Sequence, residues 1–214
     1  MSRRSIALVV ATIVLCTLAI AQEKARPMSP TGTASTQVLG KWGGVNPRSP
    51  HGGKLYQGGQ WIDITYGRPI LRGRDPWGSG ADYGKALLLG APIWRAGANV
   101  STRLRTDVPL VINGTTVPPG EYSLFIDLKP GNWTFVVSNW PAAQKYDPSN
   151  KDALWGAFDY TPDKDVVRAP MTMTTLPWSR DELTWEFLDM TDAGGSMAIS
   201  WGKQMASVPF IIGH

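Results

Sequence analysis

The chain has 214 residues, with 21 Lys and Arg against 17 Asp and Glu, 10 tryptophans and a single cysteine. Its basic surplus is too small to give the field that nucleic acid or an anionic membrane surface would need, so neither is expected as a partner. One Cys and two His also exclude a disulfide framework and leave too few ligands for a cysteine or histidine metal centre; no metal and no cofactor is expected.

The first element in chain order is an export signal. Arg3 and Arg4 precede an apolar run that closes on Ala19-Ile20-Ala21, the layout of a secretory signal peptide with an A-x-A cleavage site. A spanning helix wants about 20 apolar residues, and this run is shorter. Leu15, before Cys16, stands where a lipoprotein signal would place a small residue. Residues 1–21 are therefore expected to be removed, leaving no stable membrane span and a periplasmic or extracellular product that begins at Gln22. Cleavage takes away Cys16, Arg3 and Arg4, so 19 basic side chains face 17 acidic ones, a net charge of +2 with no thiol.

Residues 22–47 are rich in Ser, Thr, Pro and Gly and show no sustained period, the composition of a flexible arm. Residues 48–214 then read as one domain, long enough to bury a substantial core. Ile62, Ile64 and Tyr66 alternate with Asp63 and Thr65, the period of a half-buried strand. A short helical segment fits around Tyr83 to Leu89, and a second around Ala142 to Ala153. Val100, Thr102, Leu104 and Thr106 alternate against Ser101, Arg103, Arg105 and Asp107. Next, Leu110-Val111-Ile112 and Thr115-Thr116-Val117 flank Asn113-Gly114, which favours a type I′ hairpin turn.

Further strands follow at short intervals. Tyr122, Leu124 and Ile126 form one face, and Trp133, Phe135 and Val137 another, with Pro130-Gly131 turning the chain between them. Val167, Ala169, Met171 and Met173 alternate, as do Leu183, Trp185 and Phe187, and Ile199 and Trp201. Many short strands punctuated by Gly and Pro, without βα alternation, predict an all-β domain with little helix: a single antiparallel β-sandwich of jelly-roll or immunoglobulin-like type.

The ordered set YGRPILRGR (66–74), IWRAGANVST (93–102), INGTTVPPGEYSLF (112–125), WGAFDYTPDKDVVR (155–168) and LTWEF (183–187) resembles the DUF2911 family of exported bacterial proteins, over about Ser49 to Ile212. Trp94-Arg95-x-Gly97-Ala98-Asn99 is the most recognisable element, and the family's Arg-Pro and Gly-Arg pairs fall on Arg68-Pro69 and Gly73-Arg74. Between Trp77-Gly78 and Trp94 this chain is longer than the family's usual spacing. The resemblance implies no activity, since the family is one of unknown function.

Chemistry has to be sought in the residues. No G-x-S-x-G elbow and no phosphate-binding loop is present. His51 and His214 lie near opposite ends of the domain, which leaves no material for a Ser-His-Asp triad. Asp147, Asp152, Asp159, Asp163 and Asp165 are close in sequence, as paired catalytic carboxylates would have to be in space, yet Asp beside Pro, Ser and Asn is also ordinary turn chemistry. Trp133, Trp140 and Trp155 fall in or beside loops, where exposed rings could stack on sugars, whereas Trp61, Trp133, Trp185 and Trp201 occupy strand positions that suit core packing.

Arg68, Arg74, Trp94, Arg95 and Asn99 are the candidate binding residues. Arg offers a planar fork for carboxylate or phosphate and Asn a donor and an acceptor on one short arm. Two arrangements are open: a pocket for a small anion or sugar acid, or an internal network in which Arg95 pairs with a carboxylate. The second is the preferred expectation, and Arg72 reads as a surface arginine with no shared purpose. The expected function is a non-catalytic binding or interaction module of the cell envelope, whose partner is a small anionic or carbohydrate ligand or another envelope protein. The alternatives are a carbohydrate-active enzyme using paired carboxylates and a structural envelope component.

Overall fold

A computed structural model describes residues 27–49 and 51–213. The expected signal segment, the first residues of the arm and His214 lie outside the described residues. The elements are β1 (Thr31–Val38), β2 (Lys41–Gly43), β3 (Leu55–Gln57), β4 (Gln60–Gly67), α1 (Lys85–Leu88), β5 (Thr102–Thr106), β6 (Leu110–Ile112), β7 (Thr115–Val117), β8 (Gly120–Asp127), β9 (Thr134–Ser138), β10 (Asp165–Pro170), β11 (Thr172–Thr191) and β12 (Gly194–Ile212). They build a six-stranded sheet in the order β1-β4-β5-β8-β9-β10, a four-stranded sheet in the order β11-β12-β6-β7, and a separate β2-β3 hairpin.

Every pairing within these sheets is antiparallel. The period-2 pattern explains why they close on one another. Ile62, Ile64, Leu104, Leu124, Ile126, Phe135 and Val137 of the large sheet share one buried cluster with Leu183, Trp185, Ile199, Val208 and Phe210 of the small one. The expected sandwich is therefore what forms. Its large sheet is wired as an up-and-down meander from β4 to β10, interrupted where the β6-β7 hairpin crosses to the other layer, and so lacks the interleaved order of jelly rolls and immunoglobulin domains. At that hairpin Asn113 and Gly114 have φ of 49° and 77°, the positive pair a type I′ turn requires.

Several expectations are corrected. The arm over 22–47 is not a tether throughout, because Thr31–Val38 is an edge strand paired residue by residue with β4, from Thr31 opposite Gly67 to Val38 opposite Gln60. Its inward positions are Gly32, Ala34, Thr36 and Val38, mostly small side chains, and Gly32 lies directly against the Tyr66 ring. Trp61 is 46% exposed, since it lies on the outer face of β4 opposite buried Ile62. The strand expected to run from Val167 to Met173 is divided at Met171, where the chain leaves the large sheet as β10 and enters the small one as β11. No helix forms over 142–153; the chain there is a loop pinned by a bridge between Ala142 and Leu154. The α1 turn falls within the other expected helical segment.

The loop from 139 to 164 folds over the outer face of β8 and β9. There Trp140, Leu154, Ala157 and Tyr160 cover Phe125 and Val136, forming a second, smaller core. Trp140 packs in this second core and Trp133 in the main one, and their indole N–H groups donate to the Thr161 carbonyl at 2.9 Å and the Tyr83 hydroxyl at 2.8 Å respectively.

Candidate functional site

The segment Trp94 to Ser101 is held from every side. The Trp94 backbone exchanges two hydrogen bonds with Ile126 of β8, at 3.0 and 2.9 Å. The Ala96 carbonyl accepts from Thr102 Oγ1 at 3.1 Å and from the Trp185 indole at 2.9 Å, and Ala98 N donates to the Gly67 carbonyl at 3.1 Å. Gly67 has to be glycine for this approach, because a Cβ there would overlap the Ala98 carbonyl. Ala96 and Asn99 both adopt positive φ, at 53° and 63°. A short loop with this bracing holds its side chains in fixed positions.

Arg95 projects from this loop and is only 5% exposed. Its Nη1 donates to the Asn99 carbonyl at 2.6 Å, and its guanidinium lies 5.3 Å from the centre of the Phe158 ring. Gly156, at φ 69°, passes so close that a Cβ would overlap the guanidinium. Among the described residues no carboxylate pairs with Arg95, and its buried Nη2 has no hydrogen-bond partner. The expected carboxylate strut is therefore corrected: the partners are a backbone carbonyl and an aromatic face. Burial pulls the Arg95 pKa down from its usual value, but a guanidinium keeps its charge in proteins.

Arg95 lines a cavity of about 430 Å³ at one end of the sandwich. Trp94, Trp201, Pro69, Ile70 and Leu87 supply apolar wall, and Arg72, Arg74 and Asn99 add polar groups. Arg74 is oriented by two bonds to backbone carbonyls, Nη2 to Ile70 at 2.7 Å and Nε to Leu71 at 3.1 Å. Asn99 Nδ2 donates to the Ser29 carbonyl at 3.4 Å, bringing the segment before β1 to the cavity rim. Among the described residues no Asp or Glu is part of the lining, so they supply no material for paired-carboxylate chemistry in this cavity.

Of the five candidate residues, Arg74, Trp94, Arg95 and Asn99 converge on this cavity. Arg68 does not: it forms an ion pair with Glu182 of β11. Arg72, expected to be an unrelated surface residue, is part of the lining, its backbone turned by a bond from its N–H to Asp181 at 3.0 Å. Trp201 and Leu87 were also missed, and nothing in their local sequence marks them, because they arrive from β12 and α1. The sequence-clustered carboxylates separate. Asp165 joins Arg168 at 3.0 Å and Tyr160 at 2.6 Å, Asp159 pairs with Lys151 at 2.8 Å, and Asp147 caps its own turn through Ser149. Among the described residues no three His, Cys, Asp or Glu side chains gather as a metal-binding group.

A family model described as a protein of unknown function, DUF2911, matches residues 49–210. No curated protein and no solved structure matches the chain.

Proposed function

The chain belongs to the DUF2911 family, and from that premise, which supplies a fold and no activity, we propose that it is an exported, non-catalytic binding module of the cell envelope for small anionic ligands. One observation carries the reading. Arg95, a residue that lines the cavity, has a guanidinium buried to 5% exposure with one N–H that finds no partner among the described residues, which costs about 1–3 kcal/mol, and the described lining adds two more arginines and no acid. An occupant with a carboxylate or phosphate group would face Arg72 and Arg74 and, with a small shift of the Arg95 side chain, would reach that N–H and offset the cost through charge-assisted hydrogen bonds. The apolar wall of Trp94, Trp201, Leu87 and Ile70 favours an anion with a hydrophobic body, such as an aromatic or acyl acid.

Export rests on the residue pattern of segment 1–21. Intact-mass measurement of protein from the envelope or medium should give a chain starting at Gln22. Calorimetric titration with phenyl phosphate, benzoate and octanoate tests the ligand class. Saturable binding that is lost in Arg95→Ala and weakened in Arg74→Ala supports it, whereas no binding by any of the three overturns it.

A further inference from the structure

A second concave surface lies on the outer layer, formed by Tyr146, Trp155 and Phe158 with Asp147, Asn150, Lys151 and Asp159 around them, and encloses about 580 Å³. Its aromatic residues are unusual for this fold. Tyr146 is 64% exposed and Phe158 37% exposed, and Trp155 is half-buried, although Trp140, Leu154 and Tyr160 of the same loop are buried in the small core. Tyr146 and Trp155 meet edge to face, with ring centres 6.5 Å apart, an arrangement that leaves ring faces available to a third body. Phe158 rests on the Arg95 guanidinium, which fixes it from below.

The polar groups around these rings are each half used. Asp147 Oδ1 accepts from Ser149, Asn150 Oδ1 accepts from the backbone N–H groups of Asp152 and Ala153, and Asp159 Oδ2 accepts from Lys151 Nζ. Asp147 Oδ2, Asp159 Oδ1 and Asn150 Nδ2 make no hydrogen bond within the described residues. Two acceptors and a donor, held by turns and surrounding aromatic faces, match neighbouring hydroxyls that both donate and accept on a ring whose C–H face is apolar.

We propose that this groove, distinct from the arginine cavity, binds neutral saccharide chains by stacking pyranose rings on Trp155, Tyr146 and Phe158. A peptide strand fits less well, because the groove wall is loop held by one bridge and offers no strand edge for main-chain pairing. The test is a chemical-shift titration of the whole chain with hexaoses of β-1,4-glucose, β-1,4-N-acetylglucosamine, α-1,4-glucose and β-1,4-mannose, following the Trp155 indole and the backbone amides of residues 146–159, which also serve as the probe in Trp155→Ala. At least one hexaose should give saturable shifts, and Trp155→Ala and the more exposed Tyr146→Ala should each weaken binding about tenfold, the scale of one lost stacking contact. The absence of saturable shifts with all four sugars, or shifts that survive both substitutions, would overturn the proposal. A Pro-rich peptide that moves the Trp155 indole where no hexaose does would overturn it too.

Discussion

Arg95→Ala separates a ligand-facing guanidinium from a structural strut by magnitude. Wild-type Arg95 gives one charged hydrogen bond, to the Asn99 carbonyl at 2.6 Å, and one contact with the Phe158 ring at 5.3 Å. Such a bond contributes about 1.5–3 kcal/mol, and a cation–ring contact about 0.5–2 kcal/mol. Against these stands the unpaired Nη2, whose burial costs about 1–3 kcal/mol and disappears with the side chain. Asn99 is exposed, so its freed carbonyl can rehydrate. The expected net loss is about 1–2 kcal/mol, well short of the about 3–5 kcal/mol that follows when one member of a buried ion pair is removed. Urea denaturation followed by tryptophan fluorescence measures the difference. Repeating it with an anion at about 100 times its Kd should raise wild-type stability by about 2.7 kcal/mol through mass action and leave Arg95→Ala unmoved. A loss of about 3 kcal/mol or more without ligand, or equal anion stabilisation in both proteins, would refute the reasoning.

Gly156→Ala should cost more than Gly131→Ala. Both positions have φ of 69°, but only at Gly156 does a Cβ collide with Arg95; the comparator pays the conformational part alone, about 1–2 kcal/mol, and denaturation midpoints compare the two. Burial first, and then the hydrogen bond to Asp165, push the Tyr160 hydroxyl pKa up. A raised folded pKa gives stability that is complete below the unfolded value of about 10 and is lost as pH rises above it. Tyr160→Phe should therefore show a shallower fall in urea midpoint above about pH 10 than wild type, and identical slopes would exclude Tyr160 as a source. Deleting the chain through Val38 removes β1 and leaves β4 as an unpaired edge, so thermal unfolding should move down and amide exchange in β4 should accelerate; an unchanged melting curve would return residues 31–38 to the status of an arm.

Strands with strong apolar contrast were readable from their alternation, as at Ile62-Ile64-Tyr66 and Leu124-Ile126, and the Asn113-Gly114 turn was readable because its φ requirement selects those two residues. β1 alternates just as regularly, but its inward positions are Gly32, Ala34, Thr36 and Val38, and such small side chains give a period little hydrophobic amplitude. Its burial follows from pairing along its whole length with β4, where Tyr66 covers Gly32. The change of sheet at Met171 was illegible for a different reason: the alternation runs on through it, and which layer receives the chain depends on long-range pairing of β11 with β12. At the site, the 94–99 motif pointed to a real cluster. Its partners could not be ranked locally, since Arg68 finds Glu182 more than a hundred residues later while Arg95 finds no acid at all among the described residues.

Trp94 and Trp201, which border the arginine cavity, belong to a stack of four indoles with Trp77 and Trp133. Successive ring centres are 5.8 Å apart for Trp77 and Trp94, 4.8 Å for Trp77 and Trp133, 6.1 Å for Trp77 and Trp201, and 6.2 Å for Trp94 and Trp133. At such separations the transitions of neighbouring indoles can couple, so the group is expected to contribute to the ultraviolet dichroism of the folded chain. An anion settling beside two of its members would perturb all four at once. Two of the four indoles thus form part of the cavity wall, and a change in tryptophan dichroism or fluorescence on adding an anion would report occupancy without a label.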